Sequence, residues 1–93
     1  MGRRLFVLED AFLIKGRGLI PVPGIVPQGE ERFRIGDPIM LKRPDGTYLE
    51  WTIGGIEMIY CTQAKPKNDL VIILKGLTKE DLPIGSEIWS ADA

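Results

Sequence analysis

The chain has no histidine and one cysteine, Cys61, among its 93 residues. Without histidine there is no Ser-His-Asp triad, no histidine metal ligand and no imidazole acid–base catalysis. A single cysteine cannot form an intramolecular disulfide or, without histidine, complete a conventional zinc site, which suits a reducing cytosol. No segment matches Gly-x4-Gly-Lys-Ser/Thr, the loop that holds phosphates in GTPases. We therefore expect no metal, no cofactor and no GTP binding.

Long apolar runs and an excess of one charge are also missing. The 12 Lys and Arg residues are balanced by 13 Asp and Glu residues, for a formal net charge of −1. Any nucleic-acid site must therefore be a local patch. No run approaches the ~20 apolar residues that span a bilayer, so we expect no membrane partner. The basic start, residues 1–4, is soon followed by Glu9 and Asp10, which argues against a signal peptide and favours a cytoplasmic protein.

Short apolar segments alternate with turn residues along the whole chain. This pattern predicts an all-β barrel or sandwich in one domain. Pro21 and Pro23 predict an edge strand or a bulge at Gly24 in the second segment. The expected strands are residues 5–14, 19–26, 39–41, 48–52 continuing into 56–59 across a kink at Gly54-Gly55, 70–74 as a buried strand, and 87–89.

Local signals also predict the connections. Pro44-Asp45-Gly46-Thr47 is a turn, because proline presets φ and glycine accepts a positive φ. Residues 78–81 can form one helical turn, capped by Thr78. Residues 62–68 form a polar loop, and the chain is expected to be loose before Leu5 and after Trp89. The aromatic residues Tyr48, Trp51 and Trp89 are predicted as core or cross-strand partners.

One turn combines an arginine with two glycines, Gly16-Arg17-Gly18. The glycines permit a sharp reversal, which presents Arg17 at an exposed hairpin tip. Four other short motifs occur along the chain, one before this turn and three after it. They are Glu9-Asp10-x-Phe12, Ile35-Gly36-Asp37, Gly55-Ile56-Glu57-Met58 and Leu74-Lys75-Gly76-Leu77.

Together these five motifs resemble the second domain of elongation factor Tu, the β-barrel shared by translational GTPases. The resemblance covers residues 6–89 and implies a closed, mainly antiparallel six-stranded β-barrel. Residues 1–93 would form this single domain, with its core at about residues 5–89. Two departures concern loops: residues 19–26 carry an extra residue and two prolines, and residues 30–33 are extra. The loop at residues 60–68 also differs from the family pattern.

The resemblance implies a site for the aminoacyl end of transfer RNA at Glu9, Asp10, Phe12 and Glu57. An aromatic face can stack on adenine, and carboxylates can accept hydrogen bonds from ribose hydroxyls or an amine. Tyr60 replaces a basic residue of the family and Asp69 replaces an asparagine. The alternative is structural, with Phe12 in the core.

The Gly16-Arg17-Gly18 turn resembles a family loop that faces ribosomal RNA. Arg17 would then contact phosphate, with Arg34, Lys42 and Arg43 as additional phosphate partners. Lys65, Lys67 and Arg32 extend the basic set. The alternative is an ordinary charged surface, in which Arg17 is a solvated hairpin-tip residue.

These observations predict a non-catalytic binding module, with no catalytic residue assigned. Its expected partner is ribosomal or transfer RNA, or a protein of the translation apparatus. Two other classes stay open: a protein-interaction or self-associating module without RNA binding, and an enzyme of unrecognised type. Cys61 is most simply a small apolar residue.

Overall fold

The regular elements of the chain are short β-strands. The computed structural model describes residues 2–29, 31–58 and 70–91. Its strands are β1 (Arg4–Val7), β2 (Asp10–Ile14), β3 (Gly18–Val22), β4 (Pro38–Lys42), β5 (Tyr48–Thr52), β6 (Gly55–Met58), β7 (Leu70–Ile73) and β8 (Glu87–Ser90). All pairings between them are antiparallel. The all-β prediction is therefore confirmed for this part of the chain.

The strands form three small sheets. One sheet has the order β1-β8-β4-β5, and two others are the pairs β2-β3 and β6-β7. The β3 and β7 segments are connected only by two isolated bridges, Leu19 with Leu74 and Ile25 with Leu70. No closed ladder runs around the described residues, so the prediction of a closed six-stranded barrel is wrong.

Proline is one physical reason for the open seam between β3 and β7. Leu19 donates to the Leu74 carbonyl at 3.0 Å and accepts from the Leu74 N–H at 2.8 Å. Backbone groups two residues apart point to the same edge of a strand, so Pro21 occupies the next donor position and has no N–H. Residues 20–24 then face residues 71–73 between the two bridges. The sequence predicts an edge strand or a bulge at Gly24 here, and β3 has a continuous ladder only on the side of β2.

The chain crosses between sheets at residues 8–9, which divides the predicted strand 5–14 in two. The Leu8 N–H donates to the Ser86 carbonyl at 2.7 Å, whereas the Glu9 N–H donates to the Val22 carbonyl at 3.0 Å. A second crossing separates β5 from β6. There the Gly54 N–H donates to the Ile73 carbonyl at 2.7 Å, which agrees with the predicted kink.

One apolar cluster forms the core. Residues 70–74 are buried from Val71 onwards, as predicted, and Leu74 is completely inaccessible. Trp51 packs partly buried against this cluster, whereas Tyr48 and Trp89 lie opposite Lys42 and Met40 as cross-strand partners. The other inward-facing members include Leu8, Leu19, Ile25, Ile39, Leu41, Ile53, Ile72, Leu82 and Ile88.

The predicted turn at residues 44–47 is present, with Gly46 at φ +90°. Residues 78–81 form a turn in which the Thr78 N–H donates to Asp81 Oδ2 at 2.9 Å. This bond, followed by the Thr78 hydroxyl, lowers the pKa of Asp81. The segment does not continue as a helix. Within the described ranges, no helix has the length and hydropathy of a membrane span.

Hydrogen bonds hold the segment before Leu5 in place, so the prediction that this segment is loose is wrong. The Gly2 N–H donates to the Ser90 carbonyl at 2.8 Å, and the Ser90 N–H donates to the Arg3 carbonyl at 2.9 Å. Arg3 Nε also donates to Glu31 Oε2 at 2.7 Å. This bond, with a second from the Gln28 N–H, lowers the pKa of Glu31 to about 2.

Candidate functional site

The Gly16-Arg17-Gly18 motif forms the tip of the β2–β3 hairpin. The Arg17 N–H donates to the Ile14 carbonyl at 3.0 Å, and Gly16 has a φ of +83°, which glycine adopts at low cost. Gly18 has a further role, because a Cβ there would stand 2.8 Å from the Leu74 carbonyl oxygen. The motif therefore sets the turn and lets β3 approach the β7 segment closely.

Arg17 is paired with an acidic residue from a different sheet. Its Nη1 lies 2.7 Å from Glu57 Oε1, and both side chains remain substantially exposed. Because β7 lies between the β3 segment and β6, the ion pair spans β7 on the side that carries Ile73. It therefore joins one residue from each of the two sites that the sequence predicts, and Arg17 is not an isolated solvated side chain.

A shallow groove of about 540 Å³ lies beside the hairpin tip. Residues 13–18 line one side and residues 75–78 the other, and we name it the tip groove. Its charged lining residues are Lys15, Arg17 and Lys75, and none of the described residues that line it is acidic. The charged side chains that line the groove are therefore all cationic, although the whole chain has a net charge of −1.

Phe12 lies next to the tip groove on the outer face of β2. Its side chain is 50% exposed, and Lys79 Nζ is 6.0 Å from the ring centroid. The core position of β2 belongs to Ala11, which is buried. The alternative in which Phe12 fills the core is therefore wrong.

The four residues of the predicted aminoacyl-adenosine site are divided between two places. Glu9, Asp10 and Phe12 lie on or just before β2, and all three are exposed. Glu57 lies on β6, with β3 and β7 between it and β2. Asp10 Oδ1 accepts a hydrogen bond of 2.8 Å from the Ala11 N–H, so part of its acceptor capacity is used locally.

The other predicted phosphate partners lie at opposite ends of β4. Arg34 precedes the strand in an exposed turn, where its backbone N–H donates to Asp37 Oδ2 at 2.8 Å. Lys42 ends the strand, with its Nζ 5.9 Å from the Tyr48 ring centroid. The length of β4 therefore separates Arg34 from Lys42.

Arg43 has a structural role in the connection after β4. Its Nε donates to the Asp81 carbonyl at 2.7 Å, and its Nη1 is 3.4 Å from Thr47 Oγ1. These bonds hold the residue 78–81 turn against the β4–β5 hairpin. Phosphate binding by Arg43 would have to compete with them.

Sequence reasoning assigned no binding role to three lysines of this region. Lys15 and Lys75 line the tip groove with Arg17, and Lys79 lies over Phe12. The available signal for Lys15 and Lys75 was their position next to the turn glycines Gly16 and Gly76, and Lys79 had no such neighbour. Their approach to one another depends on the pairing of Leu19 with Leu74, which no local pattern indicates.

Some sequence predictions concern residues outside the described ranges. They are the polar loop at residues 62–68 and the roles considered for Tyr60, Cys61, Lys65, Lys67 and Asp69. Among the residues that are described, no group of three or more Cys, Asp or Glu side chains is arranged to hold a metal ion.

No family model, curated protein or solved structure matches the chain. The resemblance to the second domain of elongation factor Tu therefore rests on five short sequence motifs and remains a prediction.

Proposed function

We propose that this chain is a non-catalytic binding module that takes single-stranded RNA in the tip groove. The observation that carries the proposal is the convergence of Lys15, Arg17 and Lys75 on one groove that no acidic residue lines in the described part of the chain. Phosphate contacts by Lys and Arg supply most sequence-independent affinity for nucleic acids. The motif resemblance favours ribosomal or transfer RNA as the source of that strand.

The neighbouring aromatic residue supports the same ligand class. Phe12 offers a half-exposed ring beside the cations, with Lys79 next to it. Single-stranded nucleic acids are bound by cationic grooves combined with exposed rings on which bases stack. In this arrangement the lysines and Arg17 hold phosphates, and Phe12 contacts a base or ribose.

Glu57 limits the affinity that Arg17 can provide. The carboxylate already occupies one side of the guanidinium at 2.7 Å. A guanidinium has five N–H donors, so phosphate can bind on the remaining side, although part of the charge is neutralised. We therefore expect Lys15 and Lys75 to contribute at least as much to phosphate binding as Arg17.

The test is the salt dependence of binding to a labelled, mixed-sequence single-stranded RNA oligonucleotide, followed by fluorescence anisotropy. Lys75→Ala and Arg17→Ala should each weaken binding and reduce the log–log salt slope by about 0.7. Arg4→Ala is the matched control, because Arg4 is an exposed cation on β1, outside the groove lining. Lys75→Ala should change the free energy of unfolding by no more than about 0.5 kcal/mol, and Arg17→Ala, which also breaks the ion pair with Glu57, by no more than about 1 kcal/mol.

Wild-type protein that shows no salt-sensitive RNA binding at about 50 mM salt, a permissive condition, would exclude the proposal. If Arg4→Ala weakens RNA binding as much as Lys75→Ala does, the RNA site lies outside the tip groove.

A second candidate function is a protein-interaction module. The favouring observation is that Phe12, Leu13 and Ile14, three consecutive apolar residues, are between 41% and 55% exposed. Exposed apolar clusters of this kind are typical of interaction surfaces. Self-association without RNA binding would favour this function.

A further inference from the structure

A second groove adjoins the tip groove at the hairpin tip. Its volume is about 320 Å³, and Gly16, Arg17 and Lys75 line both grooves. Both volumes lie within the range of about 300–1,000 Å³ that is typical of ligand sites. One extended ligand can therefore occupy the two grooves in succession. The other described residues that line the second groove are Ile35, Gly54, Gly55, Ile56, Glu57 and Ile73.

Lys75 stands at the boundary between the two grooves. The Trp51 Nε1–H donates to the Lys75 carbonyl at 3.0 Å, which fixes the backbone at this position. Gly54 leaves room for the aliphatic stem of the lysine, because a Cβ there would stand 2.7 Å from Lys75 Cγ. Since Lys75 is exposed and lines both grooves, a phosphate at the boundary can contact its ammonium group.

The charges at this boundary favour an anionic ligand. Glu57 is the one acidic residue among the described residues that line the second groove, and Arg17 lies 2.7 Å from its carboxylate. Arg17 and Lys75 together outnumber Glu57, so the boundary has an excess of positive charge. An RNA strand in the tip groove therefore meets a cation, and not a repulsive wall, on its way into the second groove.

Ile35 reaches the second groove from the tight turn at residues 34–37. The Gly36 N–H donates to the Ile53 carbonyl at 2.7 Å, which holds this turn against the segment that enters β6. Ile35 is 68% exposed, and the preceding residue, Arg34, is also exposed. The turn therefore offers an apolar side chain for a base or ribose and a cation for a phosphate.

We propose that a single strand of RNA bound in the tip groove continues through the second groove to the turn at residues 34–37. The proposal rests on the RNA binding proposed above and extends its path. The strand places one phosphate at Lys75 and a later one at Arg34. Ile35 packs against a base or ribose between these two phosphates.

The test places a charge at Ile35 and compares it with the same charge at Ile84. The two isoleucines are matched, because both are 68% exposed and each precedes a turn glycine of positive φ, +95° at Gly36 and +92° at Gly85. Ile84 is not among the residues that line either groove. Fluorescence anisotropy with single-stranded RNA of about 12 nucleotides, within the size range of single-strand sites, gives the Kd at several salt concentrations.

Ile35→Lys should tighten binding and Ile35→Glu should weaken it, each about two- to fivefold, the range for one exposed charge contact. Ile35→Lys should also steepen the log–log salt slope by about 0.7, because it adds a phosphate contact. Ile84→Lys and Ile84→Glu should both stay close to wild type. Far-UV circular dichroism checks that each variant keeps its strands.

Arg34→Ala tests the end of the path. It should weaken binding and reduce the log–log slope by about 0.7, whereas Arg4→Ala, the exposed cation on β1, should leave the slope unchanged.

The outcomes separate this proposal from RNA binding in the tip groove. If Lys75→Ala weakens binding but the Ile35 variants behave like the Ile84 variants, RNA binds in the tip groove and does not enter the second groove, so this proposal alone is overturned. If the Ile35 variants respond but Lys75→Ala does not, the strand does not cross at Lys75 and the path is also wrong. Wild-type protein without salt-sensitive RNA binding would overturn both proposals.

Discussion

Arg17 and Glu57, separated by 39 intervening positions, are joined by an ion pair of 2.7 Å that spans β7. The arginine comes from a hairpin tip and the glutamate from a strand in another sheet. This contact places a carboxylate beside the arginine of the tip groove, so it limits how much positive charge the groove offers.

Glu57→Gln should strengthen RNA binding, because the change removes an anion that competes with phosphate for Arg17. The expected gain is about two- to fivefold, the worth of one exposed ion pair, with a loss of at most about 1 kcal/mol in the free energy of unfolding. Anisotropy titrations at fixed salt measure the first quantity and urea unfolding the second.

Glu50→Gln makes the same change of charge at an exposed position of β5 and serves as the control. Weaker binding by Glu57→Gln would mean that the glutamate positions Arg17 for the ligand and does not compete with it.

The second prediction concerns the pH dependence of stability at the Arg3–Glu31 contact. Arg3 and the Gln28 N–H lower the pKa of Glu31 from 4.5 to about 2. The unfolded chain therefore binds this proton at a higher pH than the folded chain, so the stabilisation is complete above about pH 4.5 and is lost as the pH falls towards 2.

Wild type and Glu31→Gln should accordingly differ in Tm by a constant amount from neutral pH to about pH 5, and the difference should shrink below that. Thermal scans across pH measure it. The lowered pKa values of Asp45 and Asp81 affect both proteins and cancel. Glu80→Gln, at an exposed turn position, should show no such trend. If the Tm difference between wild type and Glu31→Gln stays the same at every pH, the lowered pKa of Glu31 does not contribute to stability.

The third prediction separates two reasons for glycine at the hairpin tip. Gly16 and Gly18 both have a positive φ, but only Gly18 faces a backbone atom, the Leu74 carbonyl oxygen. Gly16→Ala should cost about 1–2 kcal/mol for the left-handed conformation alone. Gly18→Ala should cost about 1–3 kcal/mol more, because β3 must move away from Leu74. Urea unfolding of both variants measures the difference, and equal costs would show that β3 can shift freely.

Features that depend on neighbouring residues could be predicted from the sequence. Proline and glycine fix the turn at residues 44–47 through their own backbone preferences, and the continuous apolar run at residues 70–74 can only be accommodated by burial. The hairpin at Gly16-Arg17-Gly18 belongs to the same class. In each case a few adjacent residues contain the physical cause.

Features that depend on distant pairing could not be predicted. Whether a row of strands closes into a barrel depends on every edge finding a partner, and Pro21 affects an edge whose neighbour lies about 50 positions further along. The same holds for the tip groove, since Lys75 approaches Lys15 only through the bridge between Leu19 and Leu74. The sequence around Arg3 and around Glu31 likewise contains no pattern that indicates their contact.

The pairing of β1 with β8 has a consequence for how the chain acquires its structure during synthesis. β8 lies between β1 and β4, so among the described strands β1 gains a neighbour only after β8 has been synthesised. The β2–β3 and β4–β5 hairpins close short loops and can form early, whereas the pairing of β1 with β8 must close a loop that contains every strand between them. Until Glu87–Ser90 has been made, β1 and β4 each have an unfilled edge, and the nascent chain is most exposed to wrong partners at that stage.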